Sequence, residues 1–254
     1  MSLPKTPSFS LKGKRALVVG ASSGIGKACA IALAEYGANV TLGARRLSKL
    51  SDLMINMKQK KWSVSIQEMD IVNIEKMQNI INSLDPFDIL VNSAGMAKHT
   101  NSFKTSIKDF ESVMDVNLKG AYFLTQAVAK SMVSNGSPGS IINISSQMGL
   151  VGGQERTVYC ASKHAVEGFT KAMAIEYGAH NIRVNTICPT FILTPLTKAS
   201  FDDPQKKEWI LDKIKLGRAG TVEDIMGAAV YLASNASNLV TGTSIMVDGG
   251  WTAD

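Results

Sequence analysis

The feature that most constrains this chain is an alternation. Short runs rich in Val, Ile and Leu, ending in Gly, Asn, Ser or Asp, are each followed by a longer segment with helical spacing. Residues 15–20 (RALVVG) and 39–43 (NVTLG) read as the first two strands, and five more fall at 63–68, 87–91, 140–145, 182–187 and 243–247. Helical spacing covers 24–36, 47–60, 73–84, 106–133, 157–179 and 221–234. Strands separated by helices pair in parallel and need both faces covered, so the pattern predicts an α/β fold: a seven-stranded parallel sheet with helices on both faces. Right-handed crossovers put the loops that leave the strands on one edge, and ligands of such sheets bind there, beyond the carboxyl ends. The stretch 191–216 fits neither pattern. It carries Pro195 and Pro204 with mixed polarity and is expected to be a substrate lid. No linker or repeat divides the chain, so 1–254 is expected to form a single domain.

Composition removes several classes. With 45% hydrophobic residues the chain of 254 is not disordered, and no apolar run reaches the ~18 residues of a membrane span. The N-terminal Met1-Ser2-Leu3-Pro4-Lys5 lacks an apolar signal core, so a cytoplasmic location is expected. The net charge of +6 comes from scattered residues, apart from Lys58, Lys60 and Lys61, which read as a solvated helix end. No basic–aromatic interleaving marks a nucleic-acid binder. Cys29, Cys160 and Cys188 are odd in number and form no CxxC, and His99, His164 and His180 have no metal-ligand spacing. Neither a disulfide framework nor a metal is expected.

The first strand runs into Gly20-Ala21-Ser22-Ser23-Gly24-Ile25-Gly26. A diphosphate needs backbone N–H groups at close range. Gly20 permits a sharp turn, and Gly24 and Gly26 let the following helix begin against the ligand, where its dipole favours negative charge. A dinucleotide's adenosine ribose should then reach the end of the second strand. An acid there would select NAD, but the segment is Leu42-Gly43-Ala44-Arg45-Arg46. A guanidinium matches a 2′-phosphate in charge and geometry, so NADP(H) is expected, with Arg45 the main contact and Arg46 a second. The other reading, two surface arginines opening a helix, is disfavoured by the helix dipole. After the third strand, in Met69-Asp70-Ile71, Asp70 either accepts the adenine amino group or caps the next helix. Asn92-Ser93-Ala94-Gly95 ends the fourth strand with residues small enough for the backbone to run beside the adenine ribose.

The fifth strand ends in Ser145-Ser146, and Tyr159 and Lys163 follow in Tyr159-Cys160-Ala161-Ser162-Lys163. On a helix, i and i+4 share a face. An ammonium beside a phenol lowers the phenol's pKa towards neutrality, and such a phenol can give a proton to a carbonyl or take one from an alcohol. Ser146 could hydrogen-bond the same oxygen. Each residue alone has an ordinary structural explanation; their conjunction with a dinucleotide cradle does not.

Taken in order, Gly20-x-x-x-Gly24-Ile25-Gly26, Asn92-Ser93-Ala94-Gly95, Asn117, Ser146, Tyr159-x-x-x-Lys163 and Asp248-Gly249-Gly250 resemble the short-chain dehydrogenase/reductase superfamily over almost the whole chain. The resemblance implies a doubly wound Rossmann domain and hydride transfer between NADP(H) and a carbonyl or alcohol. It makes Tyr159 the acid/base, with Lys163 on the nicotinamide ribose, Ser146 on the substrate oxygen and Asn117 in a proton relay. From its helical pattern alone Asn117 would face solvent. The stretch Pro189 to Thr194 would meet the carboxamide, through the backbone of Ile192 and the hydroxyl of Thr194. It also implies a homotetramer through the long helices. Val19, Ser93 and Thr190 depart from the usual threonine, asparagine and glycine, and Thr190 sets a bulkier side chain near the nicotinamide.

Loops 96–99, 148–156 and 191–216 are expected to line the substrate pocket, and their mixed polarity suits a small polyol or oxo-sugar. The tail Val247-Asp248-Gly249-Gly250-Trp251 resembles gluconate 5-dehydrogenase-like members and also 3-oxoacyl-(acyl-carrier-protein) reductases. A non-catalytic NADP(H)-binding regulator is the alternative of another class; the presence of Tyr159 and Lys163 speaks against it.

Overall fold

The computed structural model describes residues 3–253; Met1 and Ser2, part of the N-terminal reading, lie outside them. The elements follow the predicted alternation. They are β1 Arg15–Val19, α1 Gly24–Glu35, β2 Asn39–Ala44, α2 Leu47–Gln59, β3 Val64–Glu68, α3 Ile74–Ser83, β4 Ile89–Asn92, α4 Ile107–Met114 and α5 Ala121–Ser134. The second half comprises β5 Gly139–Ile144, α6 Thr157–Gly178, β6 Ile182–Pro189, α7 Lys198–Asp202, α8 Pro204–Lys213, α9 Glu223–Ala233 and β7 Ser244–Val247.

All seven strands form one parallel sheet in the order β3-β2-β1-β4-β5-β6-β7. The order reverses between β1 and β4, and a crevice opens there at the carboxyl edge. Along β1 the side chains alternate between two cores. Ala16 and Val18 join Leu33, Leu42, Leu50 and Leu232 on the side of α1, α2 and α9. Leu17 and Val19 join Met77, Ile81, Leu124, Met132 and Met173 on the side of α3, α5 and α6. Burial on both faces is why the central strands read as unbroken apolar runs.

Two stretches depart from the predicted pattern. The expected helix over 106–133 is interrupted: Asp115–Gly120 forms a π-helical turn between α4 and α5. Such a turn rotates the residues it contains away from the regular helical face. It carries Asn117 inwards to 1% exposure, so the solvent-facing position expected from spacing is wrong. The 191–216 stretch is not a plain loop; it contains α7 and α8. Asp203 caps α8, accepting from the backbone N–H groups of Gln205 and Lys206 at 3.0 and 3.2 Å. Among the described residues no helix is long and apolar enough to cross a membrane.

Candidate active site

The crevice at the carboxyl edge is a cleft of about 580 Å³, within the ~300–1,000 Å³ range of small-molecule sites. Its floor is the turn from β1 into α1. Gly20 has φ +86°, and a Cβ there would come within 2.6 Å of the Ser93 backbone. On Gly26 a Cβ would stand 2.4 Å from the Gly20 carbonyl oxygen. Both glycines are therefore required by packing within the turn and against the loop after β4. For Gly26 this corrects the expectation that its bareness clears space for a ligand; Ser22, Ser23, Gly24 and Ile25 line the cleft and Gly26 does not.

The N-terminus of α1 is open. Ser23 makes no side-chain cap and the first turn holds no acid. The same is true of α2, which begins after Arg46. By contrast Asn73 caps α3 and Ser106 caps α4 through their own side chains. Free N–H groups facing a cleft suit an anion. Arg45 and Arg46 both line it, and Arg46 is the one tied to the cradle, donating to Ser22 Oγ at 3.0 Å. Ala44 lies beside them, without a carboxylate to oppose a 2′-phosphate. Asp70 and Ile71 line the far wall. Asp70 Oδ1 accepts from Val72 N at 3.1 Å and so shapes the turn, whereas Asn73 is the helix cap. These donors and this shape fit a dinucleotide bearing a 2′-phosphate.

Ala94 and Gly95 continue the wall, but Asn92 turns away from it. Its amide donates to Asn143 Oδ1 at 3.2 Å inside the sheet. Asn117 is also outside the cleft lining. It grips the loop after β4, accepting from Met96 N and donating to Met96 O, both at 2.9 Å, and donates to Ser162 Oγ at 3.1 Å.

Ser146, Tyr159 and Lys163 line the cleft together with Pro189, Thr190, Ile192 and Thr194. Tyr159 and Lys163 project from the first two turns of α6. Lys163 Nζ lies 5.7 Å from the Tyr159 ring centre and donates to Ile144 O, at the end of β5, at 2.9 Å. Ser146 Oγ donates to Gln147 Oε1 at 2.8 Å and accepts from Met148 N. The expected depression of the phenol is not found. Burial pushes the Tyr159 pKa up, opposed by Ser146 and by the charge of Arg156. Burial also pulls Lys163 down to about 8, with Cys188 and Glu167 acting against it. With the ammonium docked on a carbonyl rather than on the phenolic oxygen, desolvation dominates.

Behind Lys163, one helical turn on, stands Glu167, 5% exposed. It accepts from Thr186 Oγ1 at 3.0 Å, from Cys188 Sγ at 3.3 Å and from Ser244 Oγ. This carboxylate was not singled out from sequence. A Glu at helical spacing from a Lys reads as a surface pair, and only the sheet order brings β6 and β7 against it.

The roof of the site is built from side chains. Phe191 stacks on Trp251 at 5.6 Å, and meets Phe201 edge-on at 6.3 Å. Trp209 meets Trp251 edge-on at 5.4 Å. Asp248 fixes the tail by accepting from Gly250 N, Thr252 N and Thr252 Oγ1. Pro195, Leu196 and Thr197, within the stretch 191–216 expected to line the pocket, reach into the cleft from this side. Among the described residues no His, Cys, Asp and Glu side chains gather as a metal site would, and the three cysteines are free and buried.

Residues 20–252 match the family model described as enoyl-(acyl carrier protein) reductase. The chain is 35% identical to a D-erythrulose reductase of Gallus gallus, over 96% of this chain and 98% of that one. It is 36% identical to a gluconate 5-dehydrogenase of Gluconobacter oxydans, over 96% of each. The crystal structure of a gluconate 5-dehydrogenase from Burkholderia cenocepacia in complex with NADP and tartrate matches with a TM-score of 0.92. It is 32% identical and covers 97% of this chain and 98% of that one.

Proposed function

Because the chain belongs to the short-chain dehydrogenase/reductase family, we propose that it is an NADP(H)-dependent oxidoreductase that interconverts a carbonyl and a secondary alcohol on a small sugar-like molecule. What carries the reading is one juxtaposition: Ser146, Tyr159 and Lys163 line the same cleft as Gly24, Arg45 and Arg46. The named relatives act on small sugars and sugar acids, which favours such a substrate over an acyl thioester.

The open N-terminus of α1 would hold the phosphates of NADP(H), Arg45 and Arg46 would hold its 2′-phosphate, and Asp70 would stand beside its adenine. Ala94, Gly95 and Ile71 would form the wall along the adenosine, with Asn92 bracing the end of β4 from inside the sheet, and Pro189, Ile192 and Thr194 would form the wall at the nicotinamide. When bound, it supplies or accepts the hydride. Tyr159 gives its phenolic proton to the carbonyl oxygen during reduction and takes it back during oxidation. Its raised pKa keeps the phenol protonated at neutral pH, the form reduction requires. The Ser146 hydroxyl orients the reacting oxygen. Lys163, fixed by Ile144, holds the nicotinamide ribose and the charge beside Tyr159. Asn117 fixes the Met96 backbone at the rear of the site. The 191–216 segment closes over the substrate, completing a single domain. Exposed Ile107, Phe110 and Ile175, on α4 and α6, are assigned to contacts in a homotetramer.

The test is Tyr159→Phe. It should bind NADPH as the parent does and lose about 10²–10⁴-fold in turnover, the usual span for a lost general acid. Turnover within a few-fold of the parent removes Tyr159 from the chemistry.

A further inference from the structure

Two basic side chains, Arg156 and His99, stand beside Tyr159 just outside the residues that line the cleft, and a third, Lys206, lies near His99. Arg156 immediately precedes α6, three positions before Tyr159, and its charge acts on the phenol. Its guanidinium lies over the Phe191 ring at 5.3 Å and donates to Gln154 O at 2.9 Å. His99 meets the Tyr159 ring edge-on at 6.3 Å. The loops that carry His99 and Arg156 are joined by a backbone hydrogen bond from Thr100 N to Glu155 O at 3.0 Å. From the roof, Lys206 on α8 adds a second cationic side chain, near enough for its charge to act on His99.

These charges are not neutralised within the chain. Among the described residues, neither Arg156 nor Lys206 forms an ion pair. Glu155, which is exposed, is the one carboxylate whose charge bears on both His99 and Arg156. Asp203 is committed to the backbone at the start of α8. A half-buried guanidinium has lost part of its hydration, and here the Gln154 carbonyl and the Phe191 ring offset part of that loss without supplying a negative charge. Burial accordingly pulls the Arg156 pKa below its ordinary value. His99 is held at about 4, first by loss of solvent and then by the charges of Arg156 and Lys206. It is neutral at physiological pH and offers a ring N–H rather than a charge.

We infer that Arg156, flanked by His99 and Lys206, recognises a carboxylate, and that the substrate is an anionic sugar acid rather than a neutral sugar. The inference rests on the oxidoreductase reading above, in which Tyr159 marks the position of the reacting oxygen. A planar guanidinium one helical turn away can take a carboxylate in bidentate fashion while the hydroxyl or carbonyl under attack lies at Tyr159. Phe191 holds the guanidinium flat through its ring face.

The test separates binding from turnover. The NADPH-loaded protein, which cannot oxidise an added alcohol, is titrated calorimetrically with gluconate and with sorbitol, its neutral counterpart of the same chain length. NADPH consumption is then followed with 5-oxogluconate and with fructose. Gluconate should bind at least tenfold more tightly than sorbitol. Arg156→Met keeps an apolar stem over Phe191 and deletes the charge. It should bring gluconate down to the sorbitol level with an unchanged melting temperature, and Arg156→Lys should restore part of the difference. For 5-oxogluconate the loss should appear in KM more than in kcat. Sorbitol binding as tightly as gluconate, or gluconate binding untouched in Arg156→Met, overturns the inference even if NADPH is consumed. Selective, Arg156-dependent gluconate binding with no NADPH consumption on any compound upholds the carboxylate site and instead refutes the proposed activity.

Discussion

The floor and the roof of the cleft are made in different ways. The floor, from β1 through α1 to Arg46, recognises with backbone. Its shape comes from glycines that admit no Cβ, and its charge from helix ends left without caps. The roof, from Phe191 to Trp251, is shaped by an aromatic quartet, a hydroxyl network around Thr197 and a carboxylate at Asp248. Backbone geometry either exists or it does not, whereas side-chain packing can be altered in steps. The floor should therefore fail abruptly under substitution and the roof by degrees.

Gly26→Ala should break the floor. The added Cβ would meet the Gly20 carbonyl at 2.4 Å, so the turn must move. A loss on the order of 3–4 kcal/mol is expected, together with loss of NADPH binding. Thermal melting and NADPH fluorescence titration check it; a melting point and affinity close to the parent's would show the turn to be soft. Trp251→Ala should cost about 3 kcal/mol by opening a cavity among Phe191 and Trp209, yet leave NADPH affinity nearly intact. Trp251→Phe should recover part of the stability. If the alanine variant loses cofactor binding as well, floor and roof are not separable.

This division also decides what the sequence reveals. The glycine spacing, the missing acid at Ala44 and the Tyr159/Lys163 interval are local patterns, and the strand alternation carried the sheet and its two layers. Three things were hidden because they depend on residues far apart in the chain. The π-turn that buries Asn117 has no periodic signature. Whether Lys163 lowers the Tyr159 pKa depends on where its ammonium docks, and Ile144 decides that. Glu167 becomes a buried acceptor only once β6 and β7 supply Thr186, Cys188 and Ser244.

Glu167→Gln tests the wall between floor and roof. It exchanges an acceptor-only group for one that must present an N–H to donors, at an expected loss of about 1–3 kcal/mol. Chemical denaturation measures it, and a change under ~0.5 kcal/mol would mean the network re-forms around the amide. Arg46→Ala should weaken NADPH binding roughly tenfold, as for one lost charge-assisted contact, and leave NADH binding unchanged. Equal effects on both cofactors would take Arg46 off the 2′-phosphate.

The smallest effect expected is in the pH profile. With His99 held at about 4, it contributes no limb near neutrality, and His99→Asn should leave the profile above about pH 6 unchanged in shape. Lys163 is the group that titrates there. Its pKa is lowered to about 8, so its charge is present below that value and lost above it. Reduction should hold up to about pH 8 and decline as the ammonium is lost. Oxidation, which needs the phenolate of Tyr159, should gain with pH over the same interval. A reductive limb centred near pH 6.5 instead would assign the titration to a histidine.

The arrangement of the roof has a consequence for biosynthesis. Domains build from the N-terminus as the chain is made. Gly20, Arg46 and the β4 loop that braces Gly20 are translated first, and the catalytic side chains follow by Lys163. Trp251, which stacks on Phe191, follows it by about sixty residues. A growing chain that has just passed Phe191 thus holds Ser146, Tyr159 and Lys163 while its Phe191 ring lacks Trp251 against it. Through that interval the Phe191 face is exposed apolar surface of the kind that favours aggregation.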